Sequence, residues 1–176
     1  PGCFLALDHD APSGPEPATF IALQRDFKGF ETWPSVVVGT SPIEGHATSA
    51  TRTAHVNMLP DPGADHFPVG FIVVKTGAGA ETSGLTGTQI HAMVKRGGGF
   101  NGGGATGWEW LELTTDGAAQ IVWRGAEPPT GENYACLPGQ VCSDTSGDCN
   151  AGHLAHAAND FIQSAPLQLD VIQQTF

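Results

Sequence analysis

Positive charge is scarce in this chain. Seven Lys and Arg stand against 18 Asp and Glu, a formal net charge of −11. There is no basic patch, which excludes a nucleic-acid-binding surface and attachment to anionic lipid. No apolar run reaches the length that spans a bilayer. The Ser nucleophile elbow, the zinc-protease helix motif and the dinucleotide fingerprint are all missing, so hydrolase and dehydrogenase readings have no basis. Long helical patterns are few, and 24 Gly with 13 Pro make the chain rich in turns.

What is there suffices for one folded domain. The chain has 176 residues, 40% of them apolar, enough for a single core across residues 1–176. Residues 1–17 read as irregular, because Pro12, Pro15 and Pro17 block regular structure. The acidic residues are scattered, which suits a solvated surface rather than an acidic tail. A start at Pro1 points to a processed chain whose export signal would lie upstream.

Apolar spacing divides the chain. From Ala18 to Phe30, residues Phe20, Ile21, Leu23, Phe27 and Phe30 recur at near-helical intervals, predicting a helix that Trp33-Pro34 stops. Beyond it the period becomes strand-like. Ser35–Gly39 is a short β-branched run. Arg52–Met58, Val69–Lys75, Gln89–Arg96, Gly107–Thr114 and Gln120–Arg124 read as strands separated by turn residues. About five strands in succession, without long intervening helices, imply an antiparallel sheet in an α+β domain. The N-terminal helix and an irregular or helical C-terminal segment would cover one face of it. The run Gly97-Gly98-Gly99-Phe100-Asn101-Gly102-Gly103-Gly104 lacks the Lys-Ser/Thr and strand-to-helix context of a phosphate cradle, so it reads as a hairpin connection.

Four cysteines occur: Cys3, Cys136, Cys142 and Cys149. The even count allows two disulfides of unassigned connectivity and points to an oxidising compartment, periplasmic or extracellular. Cys149-Asn150-Ala151-Gly152-His153 has the form of a c-type haem attachment motif, C-x-x-C-H, with Gly152 at the second thiol position. In the intact motif two thiols add to the haem vinyl groups and the imidazole becomes an axial iron ligand. Here one thiol and the imidazole remain.

Further segments carry a family resemblance. They are Arg52-Thr53-Ala54-His55-Val56-Asn57, Phe67-Pro68-Val69-Gly70-Phe71-Ile72-Val73-Val74-Lys75, His91-Ala92-Met93-Val94-Lys95-Arg96-Gly97-Gly98, Gly107-Trp108-Glu109-Trp110-Leu111-Glu112-Leu113 and Val122-Trp123-Arg124-Gly125. Their order, with the region from Cys149 to Leu169, resembles the cytochrome P-460 family, which includes the cytochrome c′-beta proteins. The resemblance covers residues 18–170. It implies an exported, sheet-rich, commonly dimeric haem c protein that oxidises hydroxylamine or binds nitric oxide. By that carry-over Cys149 and His153 match the motif's first Cys and its His, Asn159-Asp160-Phe161 follows as in the family, and Lys75 matches a haem cross-linking lysine. A His-ligated haem iron with an open face would suit nitric oxide, hydroxylamine or peroxide and make the chain an oxidoreductase.

Two other chemistries follow from the residues. Neutral imidazole is a common transition-metal ligand, and a copper or zinc site would draw on some of His153 and His156, three apart, and His55 and His91 on predicted strands. Asp8-His9-Asp10 reads as an exposed polar turn rather than a ligand set. A haem-free binding or structural protein, its C-terminal segment held by disulfides, is the remaining reading. Trp108, Trp110 and Trp123 are expected to pack across strands, and the odd separation of Glu109 and Glu112 puts them on opposite faces.

Overall fold

The computed structural model describes residues 18–42, 49–78, 90–114, 118–126 and 149–176. Six strands form one antiparallel sheet in sequential order: β1 (Ser35–Pro42), β2 (Ser49–Val56), β3 (Ile72–Ala78), β4 (Ile90–Lys95), β5 (Trp108–Leu113) and β6 (Ile121–Gly125). Each strand pairs with the next in the chain, the usual arrangement for sequential strands. Two short helices follow, α1 (Cys149–Leu154) and α2 (Ile172–Thr175). The class is α+β, mostly strand. The sixth strand comes from the β-branched run after Trp33, which continues to Pro42 across a register shift between Val37 and Gly39.

The helix expected from Ala18 to Phe30 is not continuous. Thr19 bridges Gly97 and the Phe20 amide donates to the Arg96 carbonyl at 2.8 Å, so the segment starts extended against the β4–β5 hairpin. Two 3-10 turns follow, Gln24–Phe27 and Phe30–Thr32, broken where Gly29 takes a φ of 75°. The apolar spacing still does its packing job, because Ala22, Phe27 and Phe30 are buried against Ile72, Val74, Val94 and Leu111.

The C-terminal segment covers the other face, not the same one. There Ile162, Leu167 and Ile172 pack on Ala54, Val56, Val73, Met93, Trp108 and Trp110. The expectation of a shared face fails because the middle strands are apolar on both sides: β4 and β5 each bury all but one residue. A sheet of that composition must be covered twice. Glu109 sits on the face covered by the N-terminal segment and is 1% exposed. Its carboxylate accepts from Arg96 Nη1 at 3.1 Å and Arg124 Nε at 2.7 Å, and it also meets Arg124 Nη2. The bidentate guanidinium compensates the buried charge. Glu112 lies on the opposite face and accepts from Trp123 Nε1 at 2.9 Å.

Candidate functional site

Sheet register builds one wall of the site. Ala54 pairs with Lys75, Lys75 with His91, His91 with Glu112 and Glu112 with Trp123. Directly opposed residues share a face, so this is one row across the sheet under the C-terminal segment. Two residues along each strand, Val73, Met93 and Trp110 form an apolar row beside it. Between these rows and the C-terminal segment lies a cavity of about 170 Å³, whose lining includes Lys75, His91, Met93, Trp110, Cys149 and His153.

Helix α1 supplies the opposite wall. Four residues is just over one helical turn, so Cys149 and His153 project toward the same side, and both line the cavity. Asn150 holds the helix start in place. Its Oδ1 accepts from Asn101 Nδ2 at 2.8 Å, Ala105 N at 3.0 Å and Trp110 Nε1 at 3.3 Å. Its Nδ2 donates to Asn101 Oδ1 at 3.0 Å and Ala126 O at 3.2 Å. The glycine-rich hairpin is thus a clamp on α1. At Gly104 a Cβ would come within 2.2 Å of the Asn150 side chain, so only glycine fits there.

His153 is fixed from behind. Its Nδ1 lies 2.6 Å from the Phe161 carbonyl oxygen. A carbonyl only accepts, so Nδ1 carries the proton and Nε2 keeps a lone pair. Burial lowers the His153 pKa, the Phe161 hydrogen bond raises it, and the Lys75 and His156 charges lower it further, leaving a net depression. The Trp110 ring packs against the imidazole at 4.6 Å.

The turn that presents Phe161 is unusual. Asp160 and Phe161 both adopt left-handed backbone, with φ of 46° and 66°, at a cost of about 1–2 kcal/mol per non-glycine residue. Buried contacts hold it there. Asp160 is 3% exposed, with Oδ1 2.5 Å from Lys95 Nζ and Oδ2 accepting from the Phe67 amide at 2.9 Å. Its carbonyl accepts from Trp108 Nε1 at 2.8 Å. Asn159 ties the ends of the turn, donating to Ile162 O and accepting from Leu169 N.

Of the predicted site residues, Cys149, His153, Lys75 and His91 meet at one cavity. His55 does not. It pairs with Val74, so it points to the other face, where its ring packs on Phe30 at 5.3 Å. His55 therefore does not join His91 and His153 in a copper or zinc site, because it faces the other side of the sheet and β3 lies between its strand and that of His91. His156 sits at the turn after α1, close enough for its charge to depress His153. Among the described residues no group of three or more His, Cys, Asp or Glu could hold a metal ion. Cys3, Cys136, Cys142 and Asp8-His9-Asp10 lie outside the described residues. Among the described residues no helix is long and apolar enough to cross a membrane.

Burial pushes the His91 pKa down to about 4, and the Lys75 and Arg52 charges act in the same direction. Lys75 is lowered by burial and by Arg52, with Cys149 opposing. Asn150, Lys95 and Asp160 were not singled out by role in the sequence. The only signals for them were polar residues set among apolar neighbours. No family model matches the chain, and neither a curated protein nor a solved structure does.

Proposed function

We propose that this protein binds haem through His153, with Cys149 as a single thioether attachment, as the resemblance to the cytochrome P-460 family implies. The observation that carries the reading is the His153–Phe161 hydrogen bond, which leaves Nε2 as the ligating nitrogen of an oriented imidazole. Metal-binding histidines commonly donate their second ring nitrogen to a carbonyl in this way. The donor set fits: a thiol and an imidazole one helical turn apart, beside an apolar wall of Met93 and Trp110. The enclosed volume alone is that of a single aromatic ring rather than a porphyrin.

In this reading His153 would hold the iron, Phe161 would fix the imidazole tautomer, and Cys149 would tether the group. Met93 and Trp110 would exclude water from it. When bound, a haem would supply an iron with an open position for nitric oxide, hydroxylamine or peroxide. Register pairs Lys75 with His91, and both line the cavity as polar groups that would face a bound ligand's surroundings there. A bare copper or zinc centre is supported less well, since two imidazoles and a thiol from different elements must then meet at one point.

Acid-acetone extraction followed by a pyridine haemochrome spectrum tests the reading. Haem that resists extraction in the wild type and becomes extractable in Cys149→Ser is the expected result. Protein from its exported setting without Soret absorption, and with no free thiol, would replace this reading with the haem-free, disulfide-held one.

A further inference from the structure

Lys75 and Arg52 account for two of only seven Lys and Arg in a chain with 18 acidic residues. The other cations near the sheet faces are compensated: Lys95 by Asp160, and Arg96 and Arg124 by Glu109. Lys75 and Arg52 are not. Neither makes a hydrogen bond or ion pair with a carboxylate among the described residues, and both are half-buried. Register puts them side by side on the cavity face: Arg52 pairs with Gly77 and Ala54 with Lys75, so the two cationic side chains are diagonal neighbours. Lys75 and Ala54 line the cavity itself.

Desolvated cations without a counter-ion are costly, and natural acidic sequences have carboxylates to spare for pairing. The charge is felt inside the cavity, for Lys75 and Arg52 are both among the causes that depress His91. Glu112, beside His91 in the row, is engaged by Trp123 Nε1. Among the described residues Cys149 is an acidic neighbour that favours the charged form of Lys75.

From this arrangement we infer that the Lys75 end of the cavity, with Arg52 diagonal to it on the same face, is a binding site for a small oxyanion of the carboxylate type. The ammonium supplies a point charge with three donors and the guanidinium a planar fork that matches two oxygens. Size sets the upper limit. A cavity of about 150 Å³ admits benzene, so the 170 Å³ here takes an anion of a few heavy atoms. The inference rests on reading this cavity as a ligand site, and it names the ligand class that the site selects; it does not require iron.

Isothermal titration of the protein as isolated with sodium formate, in low-chloride buffer at neutral pH, tests it. Saturable binding is expected, weakened tenfold or more in both Lys75→Met and Arg52→Gln, each checked for folding by circular dichroism. Binding should persist in His153→Ala, which separates this site from a metal-bound anion. No saturable binding in the wild type, or binding as tight as wild type in either charge variant, would overturn the inference. Loss in His153→Ala with retention in Lys75→Met would also overturn it, by placing the anion on a metal. Haem content is read independently by the haemochrome spectrum, so failure of one proposal leaves the other to be judged on its own result.

Discussion

At the scale of single residues, the position of His153 is set by a turn that pays a backbone penalty to face it. Asp160 and Phe161 stay left-handed because Asp160 is locked by Lys95, the Phe67 amide and the Trp108 indole together. Asp160→Ala would strand the Lys95 ammonium in the interior and free the Phe67 amide. Removing one partner of a buried pair costs about 3–5 kcal/mol, so the urea midpoint should fall sharply. A change under 1 kcal/mol would mean the pair is solvated. Gly152 invites the reverse experiment. A Cβ there meets nothing within 4 Å, so Gly152→Cys should fold normally and complete the C-x-x-C-H pattern. The expected readout is an unchanged urea midpoint with the haemochrome α-band moved toward that of two thioethers.

At the scale of elements, strands were more legible than helices. The alternation in Arg52–Met58 and the apolar runs at Gln89–Arg96 and Gly107–Thr114 correspond to β2, β4 and β5 within two or three residues at either end. Side-chain period needs no tertiary context to be read. The Ala18–Phe30 pattern was apolar at near-helical intervals, yet it became 3-10 turns. Its apolar residues are satisfied by the sheet, and the Thr19–Gly97 bridge commits the start to extended backbone. Which face a segment covers could not be read at all, since that depends on the whole sheet being apolar on both sides. The glycine-rich hairpin was legible as a connection but not as a clamp, because its partner Asn150 is some fifty residues away. Gly104→Ala should displace Asn150, with a Cβ contact of 2.2 Å. Overpacking of this kind costs about 1–3 kcal/mol. The loss should be largely absent when Asn150→Ala is already present, a coupling that a double-mutant cycle in urea would measure. Simple additivity would show that the clamp is not where the strain falls.

At the scale of the molecule, three histidines among the described residues have depressed pKa values, and stability should follow them. His91 titrates near 4 in the folded chain against 6.5 for an ordinary histidine, and His55 and His153 shift the same way, chiefly through burial. Between these pH values the unfolded chain binds more protons than the folded one. Stability is therefore full above about pH 6.5 and falls as pH drops toward 4, with His91 alone worth up to about 3 kcal/mol. Urea midpoints from pH 7 to pH 4 should show that fall, and His91→Gln should flatten much of it. A profile unchanged by His91→Gln would locate the acid sensitivity elsewhere.

The site was half legible for the same reason the strands were. Cys149 and His153 are four apart in the chain and needed only a helix to face one way. Lys75 and His91 are joined by register alone, and which face of β2 would look onto the site, and so exclude His55, depends on that register. We propose that His153 is the oriented imidazole that would hold haem, and haem occupancy measures this most directly. Wild type, Cys149→Ser and His153→Ala would be exported alongside a c-type haem maturation system, and haem quantified per folded chain. Wild type should carry stoichiometric haem, Cys149→Ser should retain it non-covalently, and His153→Ala should lose most of it with the sheet intact by circular dichroism. Wild type without haem, or His153→Ala with undiminished haem, would contradict the account.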